Sequence, residues 1–215
     1  MILYWFLLLL ISVLAYGIGS ISTMILASNY VFKTRLKKLG SGRLWISNFR
    51  RIYGFGGFIR LLLVEVIKDI IPILLGGLIL SFKGHAEVGR AFAALCMVLG
   101  RLYPLFSDFR GCHATVAVAL MGVFAAPSVG IAAAVVGLGV TLVSRWLSLG
   151  ALAAAAAMAA VSVLVVDDML IRNLVFITAG LVVFRHIPSL VRLINGREER
   201  FSYEEDISYK LDERF

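Results

Sequence analysis

The chain has 215 residues, of which 60% are hydrophobic and 16% charged, and its mean hydropathy is +0.94. A soluble domain carries roughly a quarter charged residues, so this composition excludes a water-soluble fold. The formal charge of +8 does not point to nucleic acid, because the basic residues flank apolar runs instead of covering a soluble face.

The first apolar run, Tyr4 to Leu14, lacks the basic leader of a signal peptide and continues towards Leu26, which predicts a first membrane span near residues 2–27. Further apolar runs predict spans near 58–82, 88–106, 113–127, 128–144, 148–166 and 170–185. The fourth and fifth are divided only by Ala126-Pro127-Ser128, an uncharged turn at which proline cannot continue the helical ladder. Lysine and arginine concentrate in the 28–57 loop and after residue 190, which predicts that both are cytoplasmic. Seven spans with a cytoplasmic tail require an outside amino terminus. The expected fold is therefore all-α, a polytopic membrane protein with one transmembrane domain over residues 1–200 and a polar cytoplasmic tail over 201–215. The Ala-rich stretch Gly150 to Ala160 is expected to pack helices closely, since small residues replace the missing hydrophobic drive in lipid. No internal repeat is visible, which weakens a transporter reading.

Four segments carry polar chemistry. Gly40 to Gly54 is glycine-punctuated, hydroxyl-bearing and basic, with Ser41, Ser47, Asn48 and Arg51 able to hold a phosphate; the same composition also fits a positive-inside anchor lying on headgroups. Glu65, Lys68 and Asp69 lie on one helical face inside an apolar run, where they can neutralise one another. A charge at the bilayer centre costs roughly 2.5–3.5 kcal/mol, so either a structural bridge or a catalytic role is expected there. Gly100 to Thr115 ends one helix and starts another, so amides at a helix amino terminus, with Arg110 and His113, make a second candidate phosphate site. Arg185 to Glu198 follows the last span, and His186 at the cytoplasmic interface is either a base, a phosphate ligand or a plain hydrogen-bonding residue. The two cysteines and three histidines form no cluster at ligand spacing, so neither a metal nor a cofactor is expected.

Together these segments resemble the bacterial integral-membrane acyl-phosphate:glycerol-3-phosphate acyltransferases. The family's GSGNxGATNxxRxxG is matched by Gly40, Ser41, Gly42, Asn48, Arg51 and Gly54, with Ser47 for threonine and with Arg43 and Trp45 replacing an asparagine and a glycine. Its DxxKGxxP is matched by Glu65, Lys68 and Pro72, with Asp69 at the glycine. Its GHxFPxFxxFxGGKGVAT is answered by Gly100, Arg101, Pro104, Phe106, Phe109 and Gly111, then by Cys112, His113 and Ala114 where GKG is expected. RxxSLGS is echoed by Arg145, Ser148, Leu149 and Gly150, and HxxNxxRLxxGxE by His186, Arg192, Leu193, Gly196 and Glu198, with Ser189 for the asparagine.

The resemblance implies seven spans, an outside amino terminus and a cytoplasmic active site in a bacterial inner membrane. It also implies acyl transfer from acyl-phosphate to glycerol 3-phosphate in phospholipid biosynthesis. The expected catalytic residues are Ser41, Asn48, Arg51 and His186. Substrate binding is expected of Gly40, Gly42, Ser47, Lys68, Ser148 and Ser189, and the donor phosphate is expected at Arg110, Gly111 and His113. The implied partners are a small phosphate-bearing substrate, an acyl-phosphate and membrane lipid, with no nucleic acid and with a protein partner possible. The altered third motif keeps two other readings open, a relative acting on another phosphorylated or lipid acceptor, and a non-catalytic binding or partner subunit.

Overall fold

The computed structural model describes residues 2–39, 46–107, 111 and 115–198. Among these every regular element is helical: α1 (Ile2–Ser20), α2 (Thr23–Leu26), α3 (Ile46–Ser81), α4 (Ala86–Leu102), α5 (Thr115–Ala125), α6 (Pro127–Ser144), α7 (Leu147–Val165) and α8 (Met169–Ile194). Four of them, α1, α6, α7 and α8, are long and apolar enough to cross a bilayer. Large apolar side chains such as Val143 and Leu164 stand on the outer faces, 89% and 81% exposed. Helices satisfy their own backbone groups, which makes such a surface tolerable in lipid but not in water.

The centre of the bundle is α4, which packs against α1, α3, α5 and α8. Its composition explains the position: Gly89, Ala91, Ala93, Ala94 and Gly100 are buried and leave no side chain to hold neighbours away. A Cβ built on Gly89 would run into the backbone of Gly76 on α3, and one on Gly100 into that of Tyr16 on α1. The α6–α7 pair follows the same rule, with Gly137, Gly150 and Ala154 in mutual contact, in keeping with the packing role expected of the Ala-rich stretch.

Three features differ from the sequence-based expectation. Helix α5 has only 11 residues, about 16 Å of rise against a hydrocarbon core of roughly 30 Å, so it is too short to cross alone. It folds back on α6 at Ala126, where Pro127 takes the first helical position and Gly122 meets Gly130. Helix α8 runs nine residues past the expected end at 185, because the helix carries Pro188 internally without breaking. Finally α3 begins at Ile46 and is broken at Gly54, whose φ of 72° and ψ of −178° only glycine adopts without strain.

Candidate functional site

A cavity of about 550 Å³ opens between α3, α5, α6, α7 and α8. Its walls are almost wholly apolar, with Phe58 and Val66 of α3 facing Gly137 of α6 and Ala154 of α7. Among the described residues, the charged or titratable side chains that line it are Arg50 and His186. An apolar pocket of this size with a few convergent polar groups fits a small amphipathic ligand.

Arg50 is aimed by the short helix before Gly54. That helix rests on a small aromatic core in which the rings of Phe32 and Tyr53 stack at 4.1 Å and Phe49 lies 4.5 Å from Tyr53. The Tyr53 hydroxyl and the Thr34 hydroxyl are 2.5 Å apart. Burial raises the Tyr53 phenol above its ordinary value, against hydrogen bonds from Thr34 and Ser28, so the ring stays neutral at physiological pH. Asn48 is buried and donates from Nδ2 to the Leu39 carbonyl at 3.2 Å, tying this helix to the preceding chain. Successive residues of a helix point in different directions, and here Arg50 lines the cavity while Arg51 is exposed.

His186 is buried on α8. Its Nδ1 is 2.8 Å from the Val182 carbonyl one turn earlier. A carbonyl oxygen can only accept, so Nδ1 carries a proton and donates to the Val182 carbonyl. Because α8 continues beyond residue 185, Val182, His186 and Ser189 share one buried face at i, i+4 and i+7. Ser189 accepts from Arg192 Nη2 at 2.8 Å, and Arg192 Nε donates to Glu198 at 2.8 Å. The helix ends where Gly196, at a φ of 67°, lets Arg197 N–H reach the Arg192 carbonyl and Gly196 N–H reach that of Leu193, a Schellman motif.

Of the expected local neutralisation inside α3, the Lys68–Asp69 pair is present, and an arginine on a neighbouring helix is added to it. Glu65 and Asp69 both turn to Arg101 of α4, which donates to Glu65 through Nη1 and to Asp69 through Nη2 at 2.9 Å. Lys68 donates to the Ile21 carbonyl at 2.8 Å and lies 3.9 Å from Asp69. All three acidic and guanidinium groups are buried. Lys68 therefore braces the α1–α2 junction instead of lining the cavity. Ser148 is buried on α7, and its hydroxyl has no hydrogen-bond partner among the described residues.

Gly40, Ser41, Gly42, Arg110, His113 and the 201–215 tail lie outside the described residues, as does the side chain of Ser47. Gly111 is described and accepts a hydrogen bond from Arg185. Of the remaining expected residues, His186 alone faces the cavity. Arg50, Arg101 and Arg185 are additions, and the signal for Arg101 was in the sequence: a charge in an otherwise apolar helix needs an opposite charge on a neighbour.

Residues 9–196 match the family described as Glycerol-3-phosphate acyltransferase. A glycerol-3-phosphate acyltransferase of Listeria welshimeri is 30% identical over 201 residues, covering 91% of this chain and 98% of that protein. One of Geobacter sulfurreducens is 31% identical, covering 90% and 97%. In fold, the chain is similar to the crystal structure of PlsY, an integral membrane glycerol 3-phosphate acyltransferase, in its glycerol 3-phosphate form. The TM-score is 0.77 at 24% identity, over 97% of this chain and 98% of that one. The lysophosphatidic acid form of PlsY gives the same TM-score at 25% identity, over 91% and 96%.

Proposed function

The chain belongs to the glycerol-3-phosphate acyltransferase family, and we propose that it moves a fatty acyl group from an acyl-phosphate to glycerol 3-phosphate in the bacterial inner membrane. The hydroxyl oxygen of glycerol 3-phosphate attacks the acyl carbonyl, the carbonyl carbon to phosphate-oxygen bond breaks, and inorganic phosphate leaves as lysophosphatidic acid forms. The hydroxyl proton passes to a base, and the Nε2 of His186 suits that role. No covalent enzyme intermediate is needed, since positioning and charge stabilisation supply the acceleration.

The observation that carries this reading is the apolar cavity lined by Arg50 and His186. The cavity suits the acyl chain, and the guanidinium suits a phosphate oxygen of either substrate. Ser41, Arg51 and the glycines around Ser41 complete the acceptor side in this proposal, and Arg110 and His113 complete the donor side. Seven crossings with an outside amino terminus and a cytoplasmic tail accompany it, with α5 and α6 passing as a hairpin whose first arm is short.

Purified protein in lipid, given long-chain acyl-phosphate and glycerol 3-phosphate, is expected to release one phosphate per lysophosphatidic acid formed. Absence of product overturns the assignment. The exposure of Arg51, at a position where the family pattern implies a phosphate contact, favours one second reading, a different phosphorylated acceptor. Phosphate release that depends on such an acceptor, with none on glycerol 3-phosphate, would establish it.

A further inference from the structure

Arg185 precedes the cavity histidine and points elsewhere. Its Nη2 donates to the carbonyl of Gly111 at 3.0 Å, a contact between residues 74 apart in the chain. Its Nε is buried with no partner among the described residues, so the Gly111 carbonyl is the one hydrogen-bond acceptor they offer this guanidinium. Gly111 is also pressed against the end of α4. A Cβ there would run into the carbonyl oxygens of Arg101 and Leu102. That end of α4 is itself fixed, by Glu65 and Asp69 on Arg101 and by the Tyr16 hydroxyl, which donates to the Tyr103 carbonyl at 2.6 Å. Gly111 thus has a rigid floor on α4 and a charged clasp from α8.

We propose that Arg185 is a positioning residue for acyl transfer, gripping the Gly111 carbonyl so that Gly111 and the end of α4 beneath it are held in register with His186 on the same turn of α8. The proposal rests on the acyltransferase reading above. The physical basis is that a charge-assisted hydrogen bond from a planar guanidinium is both strong and directional. Arg185 is one residue from His186, so the carbonyl it holds is tied to the turn of α8 that faces the cavity. A displacement of about 1 Å at such a site costs on the order of 100-fold in rate.

The test uses Arg185→Gln and Arg185→Lys in the full chain in lipid. Arg185→Gln is expected to lower kcat by about 10- to 100-fold and to raise the KM for acyl-phosphate, with the KM for glycerol 3-phosphate and the melting temperature unchanged. Arg185→Lys, which still offers a charged donor, is expected to recover most of that loss. A readout free of catalysis is maleimide labelling of Cys112, counted by peptide mass spectrometry against the buried Cys96. Its rate is expected to rise severalfold in Arg185→Gln. Unchanged labelling with activity within twofold of wild type overturns the proposal. So does an activity loss that tracks a fall in melting temperature and is not recovered by lysine. If the unaltered protein transfers no acyl group, the acyltransferase reading fails, and the labelling arm still decides whether Arg185 holds Gly111.

Discussion

Two polar clusters sit in this bundle, and they are built on opposite terms. In the first, Glu65, Asp69 and Arg101 meet in the middle of the helices, all buried and committed to one another. In the second, Arg50 and His186 face a cavity of about 550 Å³ from elements that are fixed by other contacts. Helix α3 contributes to both, with Arg50 before its break and Glu65 and Asp69 beyond it. Charge inside an apolar helix is therefore no guide by itself to chemistry. What separates the two is that the first cluster is buried and away from any cavity, whereas the second borders one. The first cluster also explains a paired departure from the family pattern: Asp69 stands at a glycine and Arg101 at a histidine, and the two new groups bond each other.

The sharpest way to break this comparison is Arg101→Met, which strands two buried carboxylates. A loss of about 3–5 kcal/mol is expected, read as a collapse of monodisperse protein and of melting temperature. Neutralising Asp69 in the same protein, as Asp69→Asn, is expected to recover part of it. A wild-type melt for Arg101→Met alone would show that the cluster is not structural. His186→Ala should do the reverse, lowering acyl transfer by roughly 10²- to 10⁴-fold with the melt preserved. Unimpaired turnover would remove the histidine from the chemistry. Gly54→Ala acts on the joint between the two clusters: its φ of 72° implies a cost of about 1–3 kcal/mol, visible as a lower melting temperature and a raised KM as Arg50 is re-aimed. The smallest effect on stability is expected for exposed Arg51→Ala, within about 0.5 kcal/mol of wild type. Its KM for glycerol 3-phosphate should nonetheless rise, and an unchanged KM would leave the phosphate grip to Arg50.

Much of the fold was legible in the chain because hydropathy and helix-breaking residues are local and accumulate along it. The apolar runs became α1 and α3 to α8, Pro127 marked the α5–α6 turn, and the small residues from Gly150 onward packed as their size requires. The expected span near 170–185 follows the apolar run alone, whereas α8 continues through Pro188 to Ile194, since in a bundle neighbours can satisfy the carbonyl that proline frees. The shared face of Val182, His186 and Ser189 appears only once the helix is followed past that range.

The candidate site was legible only in part. Residue types and motif spacing singled out His186, Asn48 and Gly111, and composition alone set the protein in a membrane. Tertiary structure decided who faces whom: that Arg50 and not its neighbour Arg51 reaches the cavity, that Lys68 braces α1, and that Arg185 closes on Gly111. The reason is rotational, since each residue turns a helix by about 100° and a side chain's partner depends on how two helices are set about their axes. Sequence fixes the order of residues along each helix, while packing of glycines and alanines on α4 sets that mutual rotation.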